Sequence, residues 1–297
     1  MHYIDFNFLL CLKWVLGKLS KQNQTKMAKI FTNKKRKFLS IRKSIVVLLC
    51  WGIVGQFFLA MILSMPSADI HSREEALKFW HVATTILMPV YGPLADQIVS
   101  EFQLADKKGI GIDIGSGPGT LIIEICKRAK QIYWINADIN PYFFPLFFDA
   151  AKEAGVGHHV SAILADAHAL PFRNDYADII VSRGSFHFWT DKRLAISEVY
   201  RVLKPGGIAF IGRGFSNNLP VETARKIRAK QNGGPKYDLN KAAAELREIM
   251  KTLGIKEYRI RIPKPPGSED VNYGIWLEFR KTGEYERILY EFQGHHT

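Results

Sequence analysis

The sequence predicts an α/β fold with a doubly wound, mostly parallel sheet. Short β-rich runs alternate with helix-like segments, and right-handed strand–helix–strand units of this kind place helices on both faces of a sheet. The last two β-rich runs, 258–263 and 273–281, have no helical pattern between them and should pair antiparallel at one edge. The chain has 297 residues and is 47% hydrophobic, which suits one large domain with an extension and excludes a disordered chain or a disulfide-stapled miniprotein.

A helical pattern over 72–102 precedes the sheet. Ser72 and Glu75 have capping-box spacing at its start, and Pro89 and Pro93 are expected to divide the run. Apolar β-rich runs then predict strands at 109–114, 131–138, 160–166, 177–182 and 207–212. Helix-like spacing predicts helices at about 118–130, 140–155 and 190–203.

The net charge of +13 is concentrated in a basic extension, residues 1–44. This extension holds eleven Lys or Arg against one acid, Asp5, a balance of +10 that leaves +3 for the rest of the chain. The near-neutral remainder lacks a basic stripe with interleaved aromatic residues, so a nucleic-acid partner is not expected. The cysteines Cys11, Cys50 and Cys126 form no CxxC pair, and no metal site is predicted from them.

An uncharged segment of 21 residues, 45–65, follows the basic extension. A helix of that length spans roughly 30 Å, the thickness of a bilayer core, which predicts a transmembrane anchor. A buried core helix and a cleaved signal peptide are the alternatives. The apolar patch 6–17 contains Lys13 and is typical of an interfacial helix, unless Met27 is the true start.

A glycine-rich turn follows the first predicted strand in GIDIGSGPGT. Gly115, Gly117 and Gly119 lie where an open α/β sheet binds its ligand, at the carboxyl end of a strand. A dinucleotide fingerprint would place its third glycine at Thr120, and a P-loop would continue with Gly-Lys-Ser/Thr, so neither pattern is matched. Glycines kept only for close packing are the alternative interpretation.

Two acidic residues end the next two predicted strands. Asp138 ends the second, 19 residues after Gly119, where a carboxylate can accept hydrogen bonds from the two hydroxyls of a ribose. Asp166 ends the third in LADAHALPF, at a place suited to the edge of an adenine.

With these motifs the chain resembles the class I S-adenosylmethionine-dependent methyltransferases, in particular the methyltransferase type 11 group. The resemblance covers roughly 72–282 and is ordered: GIDIGSGPGT, ADIN, ADAHALPF, ADIIVSRGSFHFW, LKPGG and a terminal hairpin. It implies a Rossmann-like sheet of seven strands in the order 3-2-1-4-5-7-6, with strand 7 antiparallel.

The resemblance also implies the residues that bind S-adenosyl-L-methionine. Its methionine side would lie against the glycine turn, its ribose on Asp138, and its adenine against Ile139, Asp166 and Ala167. Arg183 would lie beside the methionine moiety. The complete set is Asp113, Gly115, Ser116, Gly117, Gly119, Thr120, Asp138, Ile139, Asp166, Ala167 and Arg183.

Methyl transfer needs orientation of the acceptor and exclusion of water, and a base is not obligatory. His187 in GSFHFW is the candidate catalytic base if one is used, and a packed pocket wall is the alternative for this residue. Tyr91 is expected either over the active site or in the core. The basic segment around Arg225 and Arg228 is interpreted either as a mobile lid or, with better support, as a solvated helix face.

The sequence thus predicts a membrane-anchored methyltransferase with a small-molecule acceptor, for example a lipophilic one such as a quinone or lipid. A Rossmann-type NAD(P)-dependent oxidoreductase and a non-catalytic membrane adaptor are the competing functions. The expected divisions are a basic N-terminal extension at 1–44, a transmembrane helix at 45–65, the methyltransferase domain at 72–282 and a C-terminal tail at 283–297. Cofactor supply predicts a cytoplasmic catalytic domain, whereas the charge of 1–44 predicts the opposite side for it.

Overall fold

The computed structural model describes residues 72–231 and 238–283. They belong to the unit Asp69–Thr297, the second of two into which the chain divides. Within these described ranges, no helix combines the length and apolar character needed to cross a membrane. The predicted extension 1–44, the anchor 45–65 and all but the first residue of the tail 283–297 lie outside the described residues.

The described part is built on one seven-stranded sheet of order β3-β2-β1-β4-β5-β7-β6. Strands β1 to β5 run parallel, and β7 is antiparallel to both β5 and β6. The strands are β1 Gly109–Ile114, β2 Ile132–Asp138, β3 Val160–Leu164, β4 Ala177–Arg183, β5 Leu203–Gly214, β6 Tyr258–Arg261 and β7 Gly274–Arg280. The predicted strand order and the antiparallel edge are confirmed.

Helices cover both faces of the sheet. The helices are α1 Arg73–Thr85, α2 Met88–Glu101, α3 Thr120–Cys126, α4 Phe143–Glu153, α5 Lys192–Val202, α6 Val221–Lys230 and α7 Leu239–Thr252. Side chains of α2, α3, α4 and α6 share one apolar core cluster with Trp134 and Phe210 of the sheet. Side chains of α5 and α7 share a second cluster with Ile112 and Leu277. The two clusters are the two layers of a doubly wound fold.

The helical lead-in differs from prediction at one of its two prolines. The helical run is interrupted between α1 and α2, just before Pro89. Pro89 lies in the first turn of α2, where a missing backbone N–H is tolerated. Pro93 does not divide the run and lies inside α2. The helix continues past it with Leu94, Ala95 and Ile98 fully buried, and we attribute this tolerance to their packing.

The capping box at the start of α1 is present as predicted. The Glu75 N–H donates to the Ser72 hydroxyl and the Ser72 N–H donates to the Glu75 carboxylate, both at 3.1 Å. These bonds satisfy amide groups that have no partner within the helix. They fix where the first described helix begins.

Candidate active site

The turn between β1 and α3 has a backbone that only glycine adopts easily. Gly115, Gly117 and Gly119 have φ values of +63°, +56° and +69°. A Cβ on Gly115 would overlap the side chain of Ser185, and one on Gly119 would overlap the ring of Phe147. The turn therefore lies close to β4 and α4 while its own amides remain near the carboxyl ends of the strands.

Asp113 lies buried beneath this turn. Burial raises the pKa of its carboxyl group to about 8, the negative charge of Asp138 adds to the rise, and the hydrogen bond from Ser116 and the charge of Arg183 oppose it. The Ser116 hydroxyl donates to Oδ2 at 2.9 Å, and Oδ1 has no hydrogen-bond partner within the part of the chain that the structure describes. Asp113 thus supports the turn from below.

Asp138, the last residue of β2, joins two loops. Its carboxylate accepts the N–H of Gly117 at 2.7 Å and the N–H of Asn140 at 2.8 Å. The Asn136 side-chain amide donates to the Gly117 carbonyl at 3.0 Å from the same strand. The β1–α3 turn and the β2–α4 loop are therefore held at one carboxylate.

Asp166 forms a pair with His168 after β3. Its Oδ1 accepts the His168 N–H at 2.9 Å and lies 2.6 Å from Nδ1 of the ring. Nε2 accepts the N–H of Asp191 at 3.2 Å, so the ring proton is on Nδ1 and is donated to Asp166. Partial burial works to raise the Asp166 pKa, but the bonds from His168 hold that pKa below its usual value.

Arg183 ends β4 beside Tyr91 of α2. Its guanidinium carbon lies 5.1 Å from the centre of the Tyr91 ring, and Nε is buried without a hydrogen-bond partner among the described residues. Burial raises the pKa of Tyr91, and the nearby Arg183 charge partly offsets that rise. Tyr91 is therefore a buried residue that packs against Arg183, in line with the core interpretation.

His187 lies in a short 3₁₀ helix, Phe186–Phe188, after β4. Burial lowers the pKa of its imidazole to about 4, and the charges of Arg213 and Lys192 lower it further. The ring packs against Phe188, with centroids 3.8 Å apart, and does not line the cavity described next. This position favours the packing interpretation, and its role as a base stays a prediction.

A cavity of about 410 Å³ opens at the carboxyl ends of the parallel strands. The predicted residues that line it come from four strand ends and are Gly115, Gly117, Asp138, Ile139, Asp166, Ala167 and Arg183. The remaining predicted residues, Asp113, Ser116, Gly119, Thr120 and His187, do not line it. Asp113, Ser116, Gly119 and Thr120 lie in or beside the glycine turn, and their part in cofactor binding stays a prediction.

Several lining residues have no counterpart in the sequence predictions. They are Glu75, Phe79, Ile114, Asn140, Phe143, Ala165, His168, Gly184, Ser185, Phe188 and Trp189. The aromatic run after β4 and the carboxylate spacing of DAH are local signals that would have found Phe188, Trp189 and His168. No local pattern places Glu75 and Phe79 of α1 at a site formed some forty residues later in the chain.

Comparison with known proteins agrees with this fold. Residues 112–211 match the model of a family described as "Methyltransferase domain". A curated relative, the chloroplastic 2-methyl-6-phytyl-1,4-hydroquinone methyltransferase of Arabidopsis thaliana, is 31% identical over 49% of this chain and 45% of its own length. The ubiquinone/menaquinone biosynthesis C-methyltransferase UbiE of Vibrio vulnificus is 35% identical over 32% of this chain and 37% of its own. The chain thus spans less than half the length of these curated relatives.

Solved structures match over more of the chain. A protein of Methanococcus maripaludis, provisionally assigned as an S-adenosyl-L-methionine-dependent methyltransferase, is 27% identical with a TM-score of 0.63, covering 74% of this chain and 97% of its own. A methyltransferase of Aquifex aeolicus with a TM-score of 0.51 is 16% identical, covers 69% of this chain and 97% of its own, and is similar in fold alone. The seven-stranded fold and the matched domain agree with the resemblance drawn from the motifs.

Proposed function

We propose that this chain is an S-adenosyl-L-methionine-dependent methyltransferase that transfers a methyl group to a small lipophilic acceptor. The observation that carries the proposal is the position of the cavity. It lies at the carboxyl ends of the strands, between the turn at Gly115 and Gly117 and the carboxylates Asp138 and Asp166. Similarity to the named methyltransferases and the match of residues 112–211 support the same activity.

The lining residues fit each part of the cofactor. The Asp138 carboxylate can accept from the two ribose hydroxyls, and Ile139, which is 46% exposed, offers an apolar surface to the adenine. Asp166 and Ala167 would hold the adenine edge, and Arg183 would lie beside the methionine carboxylate. A cavity of about 410 Å³ is within the usual range for small-molecule sites.

Bound S-adenosyl-L-methionine supplies a methyl group already activated on a sulfonium. The protein then has to orient the acceptor and keep water away, and such positioning can contribute about 7–11 kcal/mol. Phe79, Phe143, Phe188 and Trp189 line the cavity and can do both. A base at the acceptor is optional, and the neutral imidazole of His187 is the candidate if one acts.

The acceptor class follows from this aromatic wall and from the relatives. Relatives that are 31% and 35% identical over the aligned 45% and 37% of their own lengths are named for phytyl hydroquinone and for ubiquinone or menaquinone biosynthesis. An aromatic, apolar wall suits an acceptor with a ring and an apolar tail. The proposed acceptor is therefore a hydroquinone-like or other lipophilic small molecule.

The proposed organisation places a membrane anchor before the catalytic domain. The domain extends over 72–282, the anchor over 45–65 and the basic extension over 1–44. An anchor would keep the enzyme at the surface where a lipophilic acceptor resides. The catalytic domain would face the cytoplasm, where the cofactor is supplied.

Calorimetry with S-adenosylhomocysteine and with NAD tests the cofactor. We expect S-adenosylhomocysteine to bind and NAD not to bind. Binding of NAD alone would instead support a Rossmann-type oxidoreductase. Binding of S-adenosylhomocysteine without methyl transfer to any acceptor in a screen that includes hydroquinones would favour a non-catalytic adaptor.

A further inference from the structure

Helix α1 buries little of its surface against the rest of the domain. Of its thirteen residues only Ala76 and Ala83 are buried. A helix this short is marginally stable in water on its own. It is therefore a candidate for stabilisation by a second surface.

One exposed flank of α1 carries two large apolar side chains. Leu77 and Trp80, one helical turn apart, are 42% and 36% exposed. Phe79 lies on the other flank of the buried strip, where it lines the cavity and contacts the ring of Phe143 edge-on at 6.0 Å. The charged pair Glu74 and Lys78 lies on the opposite side of the helix. This separation of faces is typical of a helix at a membrane interface.

Large apolar side chains are also exposed among the residues that line the cavity, together with the carboxylates Glu75 and Asp166. Phe188 is 75% exposed although it lines the cavity, and Phe79 and Ile139 are also exposed there. Phe188 is a large side chain in a short helix that ends at the cavity. Large apolar side chains that are exposed to solvent around a binding cavity indicate an interaction surface.

Helix α1 is attached to the loop that carries the ribose carboxylate. The side-chain amide of Asn140 donates to the Ser72 carbonyl at 3.3 Å, while the Asn140 N–H donates to Asp138. The start of α1 is thus held at the cavity. The exposed flank of α1 and the exposed rim belong to the same end of the domain.

The chain before α1 indicates which partner covers this surface. The uncharged segment 45–65 ends seven residues before Ser72, and seven extended residues reach about 25 Å at most. A bilayer that holds 45–65 is therefore within reach of α1. The basic extension 1–44 adds attraction to anionic lipid.

We propose that the exposed flank of α1, with Leu77 and Trp80, and the cavity rim at Phe188 dock on a phospholipid bilayer, so that a lipophilic acceptor enters the cavity directly from the membrane. The inference rests on the proposed function for the nature of the acceptor. The docking surface itself depends on the exposure of Leu77, Trp80 and Phe188, on the geometry of α1 and on the position of segment 45–65 in the sequence.

Fluorescence at single labelled positions tests this docking in the full chain. Cys11 and Cys50 are replaced by Ser, the buried Cys126 is kept, and an environment-sensitive NBD label is placed on Leu77→Cys or Phe188→Cys. Tyr133→Cys is the matched control, because Tyr133 is exposed and lies near the amino end of β2, away from the cavity. The probe is vesicles of phosphatidylcholine and phosphatidylglycerol, with and without doxyl-labelled lipid.

We expect vesicles to shift the emission to shorter wavelength at positions 77 and 188, and doxyl lipid to quench it there by at least twofold, with position 133 unchanged. Equal quenching at all three positions would show non-specific adhesion and overturn the proposal. So would quenching at only one of positions 77 and 188, or at neither, or a label already shielded without vesicles, which would indicate cover by protein.

The result is independent of methyl transfer. Binding of S-adenosylhomocysteine by the labelled Leu77→Cys and Tyr133→Cys chains checks that each is folded. A chain that docks but binds no S-adenosylhomocysteine in any form would refute the proposed function and leave the docking surface intact. A chain that binds it without quenching would refute the docking alone.

Discussion

Asp138 shows at the scale of one residue how sequence position becomes a site. It is the last residue of a buried strand, and its two oxygens accept amide protons from Gly117 and Asn140. The same carboxylate lines the cavity. Its side chain therefore holds two loops in place and also faces the cavity.

Replacement of Asp138 by Ala should weaken cofactor binding strongly. Hydrogen bonds to a charged group contribute about 1.5–3 kcal/mol each, so loss of one or two predicts a loss of affinity of at least tenfold for S-adenosylhomocysteine. Calorimetry measures it. Asp149→Ala, an exposed carboxylate on α4, is the control and should bind like wild type. Unaltered affinity in Asp138→Ala would support a non-catalytic adaptor.

Asp113 predicts a pH dependence of stability. Its folded pKa of about 8 lies above the ordinary value of 3.8, so the folded state holds the proton more tightly than the unfolded state between these two values. This group therefore makes the free energy of unfolding fall as pH rises from about 4 to 8, by at most about 1.4 kcal/mol per pH unit. The contribution is constant above and below that window.

Asp113→Asn removes this titration and keeps an acceptor for Ser116. We expect the difference in stability between the variant and wild type to grow in favour of the variant from pH 5 to pH 8. Urea unfolding at each pH measures it, with Asp149→Asn as the exposed control. Parallel stability curves for Asp113→Asn and wild type would contradict the expectation.

At the scale of elements, the β1–α3 turn depends on close approach to α4. Gly119 and Gly155 have similar positive φ values, +69° and +72°. A Cβ at Gly119 would overlap Phe147, whereas nothing lies within 4 Å of a Cβ at Gly155. Alanine at Gly155 would therefore introduce backbone strain alone, whereas alanine at Gly119 would introduce backbone strain together with steric overlap.

Gly155→Ala should cost about 1–2 kcal/mol, the usual penalty of a left-handed residue with a side chain. Gly119→Ala should cost about 1–3 kcal/mol more, because the buried Phe147 would have to move. Urea unfolding of both variants measures the difference. Equal destabilisation would mean that packing at the turn is loose.

Helix α6 corrects one sequence interpretation. Arg228 is neither on a solvated face nor on a free lid: it is buried, donates to the Asn272 carbonyl at 2.8 Å, and lies 4.0 Å from the centre of the Phe215 ring. Arg225 binds Asp270 at 2.8 Å in the same loop before β7. These bonds hold α6 to the loop before β7, and they argue against a mobile lid at this helix.

Arg228→Ala should lower the free energy of unfolding by about 2–4 kcal/mol, since it removes hydrogen bonds from a charged group and a ring contact. Lys226→Ala, an exposed residue of the same helix, should change stability by less than about 0.5 kcal/mol. Chemical denaturation compares the two variants. Similar small effects would indicate that the helix is not fastened through Arg228.

At the scale of the whole molecule, the uneven charge raises a question of topology. The eleven basic residues of 1–44 favour the cytoplasmic side, and a single span at 45–65 would then carry the domain across. The proposed location of the domain is instead the cytoplasmic side, where the proposed cofactor is supplied. Membrane contact by 6–17, or a surface position of 45–65, would reconcile the two.

We expect the domain to face the cytoplasm. In sealed vesicles with the cytoplasmic face outward, added protease should then digest a tag placed at the C-terminus. The same tag should be protected in vesicles of opposite orientation, and detergent should abolish that protection. Protection in the first kind of vesicle would place the domain on the far side and contradict the proposed location.

Whether a site residue could be predicted from the sequence depended on how close it is in sequence to the end of a strand. Asp138 and Asp166 follow directly from the pattern, because the carboxyl ends of parallel strands meet at one edge of a sheet, whereas Arg183 was implied by the family resemblance. His168 and Phe188 were close to predicted residues, yet their side-chain directions depend on packing. Pro93 inside α2 and the buried Arg228 were misread because tertiary contacts outweigh local preference.

The sequence by itself determined the α/β class, the glycine turn and the acidic strand ends, since these are local periodicities and spacings, whereas the strand order was implied by the family resemblance of its motifs. Only the tertiary structure decided that Glu75 and Phe79 of α1 line the cavity, that His187 packs outside it, and that Arg228 is buried. Those outcomes depend on contacts between residues far apart in the chain. Hydrophobic burial drives these contacts, and because it is non-directional, a local sequence pattern does not predict which distant residues meet.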